Sequence, residues 1–177
     1  PIDGYFGAVY YIGPIFTAFR GTPEASQFYS LLRQEIDERV RLGKGPITPD
    51  GEMGEEKYRL VTEGPPNWTS FRDFWKMFYD EGAVVVASTY SKVGGLYDFG
   101  FRHDADHPLE SLADYCLGCY TNLNLPSRID MICKYIDEYQ ADGLLINSIK
   151  SCNSFSAGQL LILREVEKRT GKPAAFI

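Results

Sequence analysis

The sequence predicts an open, doubly wound α/β domain of Rossmann-like or flavodoxin-like type, with a parallel sheet and helices on both faces. The first observation is the apolar run Ala83–Ala87, which lacks the alternation of a half-exposed strand and is typical of a strand buried on both faces. The second is that amphipathic segments of helical periodicity lie between such short apolar runs. Strands separated by helices require crossover connections, which indicate a parallel sheet.

We expect this domain over residues 57–177, with elements in the order β-α-β-insertion-α-β-α-β. The predicted strands are Tyr58–Thr62, Ala83–Ala87, Leu144–Asn147 and Pro173–Ile177, and the predicted helices are 69–81, 127–140 and 156–169. Residues 88–125 form the long insertion. Two helices are predicted to begin at capping boxes, formed by Ser127 with Asp130 and by Ser156 with Gln159.

Residues 1–56 are predicted to be a helical and linker region that connects to an N-terminal half. Residues 1–21 are rich in aromatic residues and glycine, and the sequence assigns them no element. A helix follows Thr22, a suitable N-cap, and residues 44–56 are rich in turn residues. Every fourth residue of this helix is apolar, which gives the stripe Phe28, Leu32, Ile36 and Val40.

Composition and charge narrow the functional class. Hydrophobic residues make up 44% of the 177 residues and charged residues 24%, which excludes a wholly disordered chain. The net charge is -6 and no basic block occurs, so we expect no nucleic-acid partner. No apolar run approaches the ~20 residues that cross a bilayer, and no secretory signal is visible. We therefore expect a cytoplasmic protein without a membrane partner.

The two ends of the sequence indicate a fragment. The chain begins at Pro1 without Met and ends within Pro173–Ile177, which is predicted to be an incomplete strand. We expect that part of the functional site lies in a preceding N-terminal half and that the α/β domain is truncated at its C-terminus.

Three loops are candidates for the functional site, because ligands of open α/β sheets bind beyond the carboxyl ends of the strands. These loops are Glu63–Asn67, Ser88–Tyr90 and Ser148–Ser154. The third contains Cys152, between a predicted strand and a predicted helix. Backbone N–H groups at the start of a helix favour a thiolate, which suits a nucleophile or a ligand to an iron–sulfur cluster. The alternative is a small residue in a loop.

The other cysteines and the two histidines are weaker candidates. Cys116 and Cys119 form a C-x-x-C, which could supply two metal ligands or a redox disulfide. Together with Cys152 they could supply three ligands if the insertion folds over the strand ends, or they could be buried small residues. Cys133 lies on an apolar helical stripe and is expected in the core. The segment from His103 to His107 lacks the H-E-x-x-H pattern and is predicted to be a loop.

Two stretches, Tyr115–Arg128 and Ala141–Gln159, resemble the benzoyl-CoA reductase / 2-hydroxyacyl-CoA dehydratase family. The second stretch contains Lys-Ser-Cys-x-x-Phe-Ser-x-Gly-Gln at residues 150–159, a pattern specific to this family. The similarity is expected to run from about residue 57 to the end and through the first part of the chain as well. The sequence Cys-Leu-Gly-Cys-Tyr-Thr-Asn-Leu-Asn at residues 116–124 favours the reductase branch of this family.

The resemblance implies a catalytic subunit with two Rossmann-like halves and a [4Fe-4S] cluster held by cysteines from both halves. It assigns one ligand to Cys152, with Ser151, Asn153 and Ser154 around it, and makes Cys116 and Cys119 less suitable ligands. It implies that low-potential single electrons pass to an aromatic acyl-CoA thioester, as in the reductive dearomatisation of benzoyl-CoA. The fragment alone is expected to be inactive and to lack the cluster.

The resemblance also implies several partners. These are a homologous second catalytic subunit, an ATP-hydrolysing activator subunit, a ferredoxin upstream and the acyl-CoA substrate. No nucleotide-binding fingerprint occurs in this sequence, so ATP is expected to bind another subunit. Two alternatives stay open: a 2-hydroxyacyl-CoA dehydratase subunit that removes water through a radical, and a non-enzymatic α/β scaffold with structural cysteines.

Overall fold

The computed structural model describes residues 21–42, 56–90 and 95–177, and the predictions for residues 1–20 and 43–55 lie outside this part of the chain, as does the side chain of Val40. The helices are α1 (Pro23–Arg41), α2 (Phe71–Asp80), α3 (Pro108–Leu117), α4 (Leu125–Glu138), α5 (Asn153–Ser156) and α6 (Gln159–Thr170). The strands are β1 (Tyr58–Glu63), β2 (Ala83–Ser88), β3 (Gly143–Ile146) and β4 (Ala174–Phe176). Short 3-10 helices cover Trp68–Ser70, Gly95–Phe99 and Tyr120–Asn122.

The four strands form one sheet in the order β2-β1-β3-β4. The amide of Lys57 donates to the carbonyl of Gly82 at 2.8 Å, and the amide of Thr89 donates to that of Thr62 at 3.0 Å, so β1 and β2 run in the same direction. Strands β3 and β4 are parallel, with Leu145 opposite Ala175. All six residues of β2 are buried, as the unbroken apolar run predicts. The predicted α/β class with a parallel sheet is confirmed.

The described chain contains two compact units. The first contains α1, the start of β1 and residues Asn67–Ala87. Its α1 begins as predicted, because the Thr22 hydroxyl accepts a hydrogen bond from the amide of Ala25 at 3.3 Å. Its α2 buries three aromatic side chains, those of Phe74, Trp75 and Phe78. The predicted division of the chain after residue 56 stays a prediction.

The second unit contains Val61–Pro66 and Ser88–Ile177, and its core lies between α4, α6 and β3. Helix α4 buries its predicted apolar stripe, and Ile132 and Ile136 are almost completely inaccessible to solvent. Helix α6 contributes Ile162 and Val166, which are also fully buried. The predicted insertion contains α3 and two of the 3-10 helices.

The predicted capping box at Ser127 and Asp130 is wrong. Helix α4 begins at Leu125, and the Asn124 side chain accepts a hydrogen bond from the amide of Ser127 at 2.9 Å. Asp130 instead faces Arg169 of α6 at 2.8 Å. The physical reason is that Asn124 is a good N-cap and Pro126 fits the first turn, so the helix begins before the predicted box.

The predicted capping box at Ser156 and Gln159 is also wrong. A left-handed residue, Gly158 with φ of 84°, precedes α6, which begins at Gln159. The Ser156 hydroxyl belongs to the single turn α5 and donates to the carbonyl of Cys152 at 2.9 Å. The side chain of Gln159 does not cap the helix. It donates instead to the buried carboxyl group of Glu63.

Candidate functional site

The candidate site lies within the second unit, at the carboxyl ends of β1, β2 and β3. The amide of Asn147 donates to the carbonyl of Glu63 at 2.8 Å, and that of Thr89 donates to Thr62, so the three strands end side by side. In the order β2-β1-β3-β4, the chain leaves β1 toward β2 on one side and leaves β3 toward β4 on the other side. Such a topological switch point is where open α/β sheets bind ligands. The three loops selected from the sequence therefore meet at one edge.

Gly64 allows the loops after β1 and β3 to approach closely. Its φ is 91°, and a Cβ atom there would lie 2.3 Å from the carbonyl oxygen of Asn147. Its amide donates to the Thr89 hydroxyl at 3.3 Å, and the Asn147 side chain donates to the carbonyl of Pro65. No other residue type fits this position, because both the backbone conformation and the space exclude a side chain.

Glu63 is a buried carboxyl group at the centre of this edge, with none of its surface exposed. The Tyr120 hydroxyl donates to its Oε1 at 3.1 Å, and Nε2 of Gln159 donates to its Oε2 at 2.6 Å. Burial raises the pKa of Glu63 to about 6, although these two hydrogen bonds and the charge of Arg128 act in the opposite direction. The side chain can therefore change its protonation state near neutral pH.

Arg128 and Tyr120 complete this buried polar cluster. The Arg128 guanidinium lies 5.2 Å from the centre of the Tyr120 ring and donates to the carbonyl of Thr121 at 2.8 Å. Burial and the Glu63 carboxylate raise the pKa of Tyr120 far above its ordinary value, so Tyr120 stays a hydrogen-bond donor. Arg128 itself is only 6% exposed.

Sequence reasoning missed the cluster of Glu63, Tyr120, Arg128 and Gln159. A signal was present, since Glu63 lies two positions after Val61 and therefore shares its buried face of β1. The sequence pattern presents Gln159 as a capping residue, and Tyr120 and Arg128 belong to or follow the insertion, where no periodicity indicates their burial.

Cys152 is the N-cap residue of α5, and its side chain is half-buried. Its amide donates to the carbonyl of Ile149 at 3.2 Å, and its carbonyl accepts the amides of Phe155 and Ser156. Its neighbours Ser151, Asn153 and Ser154 are exposed. Because α5 has a single turn and α6 begins only at Gln159, the long helix expected after Cys152 does not start beside it. The role of Cys152 as a ligand stays a prediction.

The other three cysteines belong to the insertion or to the core, and Cys119 directly precedes Tyr120. Cys116 is exposed at the end of α3, and the half-buried Cys119 donates its Sγ–H to the carbonyl of Tyr115 at 3.4 Å. Burial, together with Cys116, raises the pKa of Cys119. Cys133 is buried on α4 as expected, and burial raises its pKa. Within residues 21–42, 56–90 and 95–177, no three His, Cys, Asp or Glu side chains form a group that could hold a metal, so Cys116, Cys119 and Cys152 are not brought together.

The two histidines lie in an irregular segment, as predicted. His103 faces the Tyr97 hydroxyl at 2.8 Å and packs among the rings of Tyr97, Phe101 and Tyr115. His107 faces Asp104 at 3.1 Å, and this hydrogen bond lowers the pKa of the Asp104 carboxyl. Neither histidine reaches the Glu63 cluster through a described hydrogen bond. In the part of the chain that the structure describes, no helix combines the length and apolar character that a bilayer crossing needs.

Comparisons with known proteins agree on one family. The family model for the 2-hydroxyglutaryl-CoA dehydratase D-component matches residues 1–177. The B subunit of benzoyl-CoA reductase from Thauera aromatica is 77% identical over the whole chain, which covers 41% of that protein. The alpha subunit of (R)-2-hydroxyisocaproyl-CoA dehydratase from Clostridioides difficile is 28% identical over 99% of the chain, which covers 40% of that protein.

A third relative, the alpha subunit of (R)-2-hydroxyglutaryl-CoA dehydratase from Acidaminococcus fermentans, is 23% identical over 99% of the chain. The chain spans 34% of that protein and about two fifths of the other two. The resemblance of Tyr115–Arg128 and Ala141–Gln159 to this family is confirmed, and the 77% identity with the B subunit agrees with the reductase branch that residues 116–124 favour.

Proposed function

The chain belongs to the 2-hydroxyglutaryl-CoA dehydratase D-component family, and on this basis we propose that it is part of a catalytic subunit acting on an acyl-CoA thioester. The proposed reaction is the reductive dearomatisation of an aromatic acyl-CoA such as benzoyl-CoA, by low-potential single electrons. One observation carries this choice: 77% identity with a benzoyl-CoA reductase subunit, against 28% and 23% with the two dehydratase subunits.

We propose that Cys152 supplies one thiolate ligand to a [4Fe-4S] cluster in the complete subunit. Cysteine-ligated clusters transfer single electrons, and their potential depends on charge, hydrogen bonds and burial. The described residues do not by themselves fit a cluster, because a lone half-buried thiol offers one donor and no metal-holding group of three accompanies it in the described ranges. The remaining ligands are assigned to polypeptide outside the described residues.

The proposed partners follow from the same membership. They are a homologous second catalytic subunit, an ATP-hydrolysing activator subunit and a ferredoxin that supplies electrons to it. The relatives are named as a B subunit and as alpha subunits, which are terms for multi-subunit enzymes and support the first of these partners. The non-enzymatic scaffold considered from the sequence finds no support among these relatives, which are subunits of enzymes.

The ligand role is tested by Cys152→Ser in the complete subunit, purified without oxygen. The expected result is loss of iron and acid-labile sulfide in this variant, with both retained in Cys116→Ser, which changes an exposed cysteine of α3. If Cys152→Ser keeps all of its iron, Cys152 is not a ligand.

The second candidate function is a 2-hydroxyacyl-CoA dehydratase, which the matching family model favours by its description. The assembled enzyme with its activator, ATP and a reductant is offered benzoyl-CoA and, separately, a 2-hydroxyacyl-CoA. We expect turnover of benzoyl-CoA to a dearomatised product. Loss of water from the hydroxyacyl substrate, with benzoyl-CoA unchanged, selects the dehydratase instead.

A further inference from the structure

We propose that Glu63 is a positioning residue that fixes residues 148–158, the Cys152 segment, through two separate side-chain contacts. The carboxyl group is buried at the switch point of the sheet, and the segment begins two residues after the end of β3. The importance of this segment for the reaction rests on the proposed function, whereas the contacts themselves do not.

The first contact holds the end of the segment. Gln159 is 3% exposed and is the first residue of α6, immediately after Gly158. Its Nε2 donates to Oε2 of Glu63 at 2.6 Å, in a place from which water is excluded. Hydrogen bonds to a charged acceptor are stronger than neutral ones, and a buried amide left without a partner is unfavourable. The contact therefore fixes the point where the segment enters α6.

The second contact holds the middle of the segment. The Tyr120 hydroxyl donates to the other oxygen of Glu63, and the Tyr120 ring stacks on that of Phe155 with centres 5.9 Å apart and planes 26° apart. Tyr90 packs against Phe155 with ring centres 6.0 Å apart. Phe155 is 5% exposed, and its amide donates to the carbonyl of Cys152 at 3.2 Å. Glu63 is thus linked to the Cys152 backbone through two hydrogen bonds and one ring pair.

Besides these two contacts, the amide of Ser148 donates to the carbonyl of Ile177 at 3.5 Å, and Leu125 lies against Gly158. The polar residues Ser151, Asn153 and Ser154 of the segment are exposed, and α5 is a single turn. A helical turn of this length is not stable by itself, since the first turn fixes several dihedral angles for one hydrogen bond. Phe155 and Gln159 are the buried side chains that anchor the middle and the end of the segment, and both are connected to Glu63.

The test is hydrogen exchange on the complete subunit carrying Glu63→Met, which introduces an apolar side chain of similar length and removes both acceptor oxygens. We expect the amides of Cys152, Phe155, Ser156 and Ala157 to exchange about tenfold faster, with the amides of α4 changed by less than about twofold. Equal acceleration in α4, or no acceleration in the segment, overturns the proposal.

Two further variants separate positioning from a general loss of stability. Glu63→Gln is expected to restore slow exchange, because its amide can accept from Tyr120 and donate to Gln159 Oε1 once that amide turns over. If it behaves as Glu63→Met, the proposal that two hydrogen bonds fix the segment is wrong.

Tyr120→Phe, which keeps the ring stack, is expected to accelerate amide exchange in the segment by about threefold. No acceleration overturns the second contact. Glu110→Gln, an exposed residue of α3, is the matched control.

The outcome is independent of the ligand assignment. Iron content of Cys152→Ser decides whether Cys152 is a ligand, and exchange in Glu63→Met decides whether Glu63 fixes the segment. Rapid exchange in Glu63→Met, with iron retained in Cys152→Ser, leaves the positioning role and removes the proposed ligand role.

Discussion

At the scale of single residues, Glu63 shows how a carboxyl group is accommodated inside a sheet. Its position two residues after Val61 places it on a buried face, so the charged form loses its hydration. The hydrogen bonds from Gln159 and Tyr120 offset part of this unfavourable desolvation. The Gln159 amide can present its Nε2 to a carboxylate or, after rotation, its otherwise unpartnered Oε1 to a protonated Glu63. Glu63 can therefore keep Gln159 as a hydrogen-bond partner in both protonation states.

The shifted pKa of Glu63 predicts a pH dependence of stability. A carboxyl whose pKa rises from 4.5 to about 6 on folding stabilises the protein fully below pH 4.5, and this stabilisation is lost as the pH rises through 6. The difference corresponds to about 2 kcal/mol. Tyr120, whose pKa is raised by burial and by the Glu63 carboxylate, stays protonated in this range. The free energy of local opening at β1, from hydrogen exchange of the complete subunit, should fall by that amount between pH 3.5 and 7.5.

Glu63→Gln is the control for this prediction, since an amide does not titrate. The opening free energy of this variant, relative to the unmodified protein, should rise with pH by about 2 kcal/mol over the same interval. A constant difference between the two proteins would place the titrating group elsewhere.

At the scale of elements, the sequence predicts helices and strands well where burial repeats along the chain. The run at β2 and the apolar stripe of α4 are both observed, because each is repeated over a whole element. The predicted starts of α4 and α6 are wrong, because a start depends on one or two local contacts. Asn124 competes with Ser127 as a cap, and Gly158 interrupts the single helix predicted from residue 156. A side chain that hydrogen-bonds to another element, as Gln159 does to Glu63, leaves no periodic pattern in the sequence.

The start of α4 can be tested by comparing two substitutions. Asn124→Ala removes the side-chain acceptor of the Ser127 amide and should lower the opening free energy of α4 by about 0.5–2 kcal/mol. Ser127→Ala should cost less, because only the backbone of Ser127 takes part in this cap. Hydrogen exchange of the first turn of α4 measures both, and a larger effect of Ser127→Ala would favour the capping box at Ser127 and Asp130.

At the scale of the whole molecule, the rule for parallel sheets predicts the location of the site better than its contents. Three loops at the carboxyl ends of β1, β2 and β3 can be selected from the order of elements, and the structure places these strand ends side by side. Cys152 is selected with them because its loop follows a strand. Tyr120 and Arg128 come from a distant part of the chain, and their separation of more than fifty residues from Glu63 in sequence hides the contact. Long-range polar contacts of this kind leave no local pattern.

The second unit is expected to depend on apolar burial between α4 and α6 rather than on the ion pair that also joins them. Ile132 is fully buried, whereas Asp130 and Arg169 lie 63% and 43% exposed. Ile132→Ala should therefore lower the opening free energy of this unit by about 2–5 kcal/mol, and Ile132→Val by about 0.5–1.5 kcal/mol. Asp130→Asn should leave it unchanged within error, because solvent screens exposed pairs. Amide exchange in α4 and α6 of the complete subunit reports all three, and an Asp130→Asn loss that matches Ile132→Ala would show that electrostatics holds the two helices together.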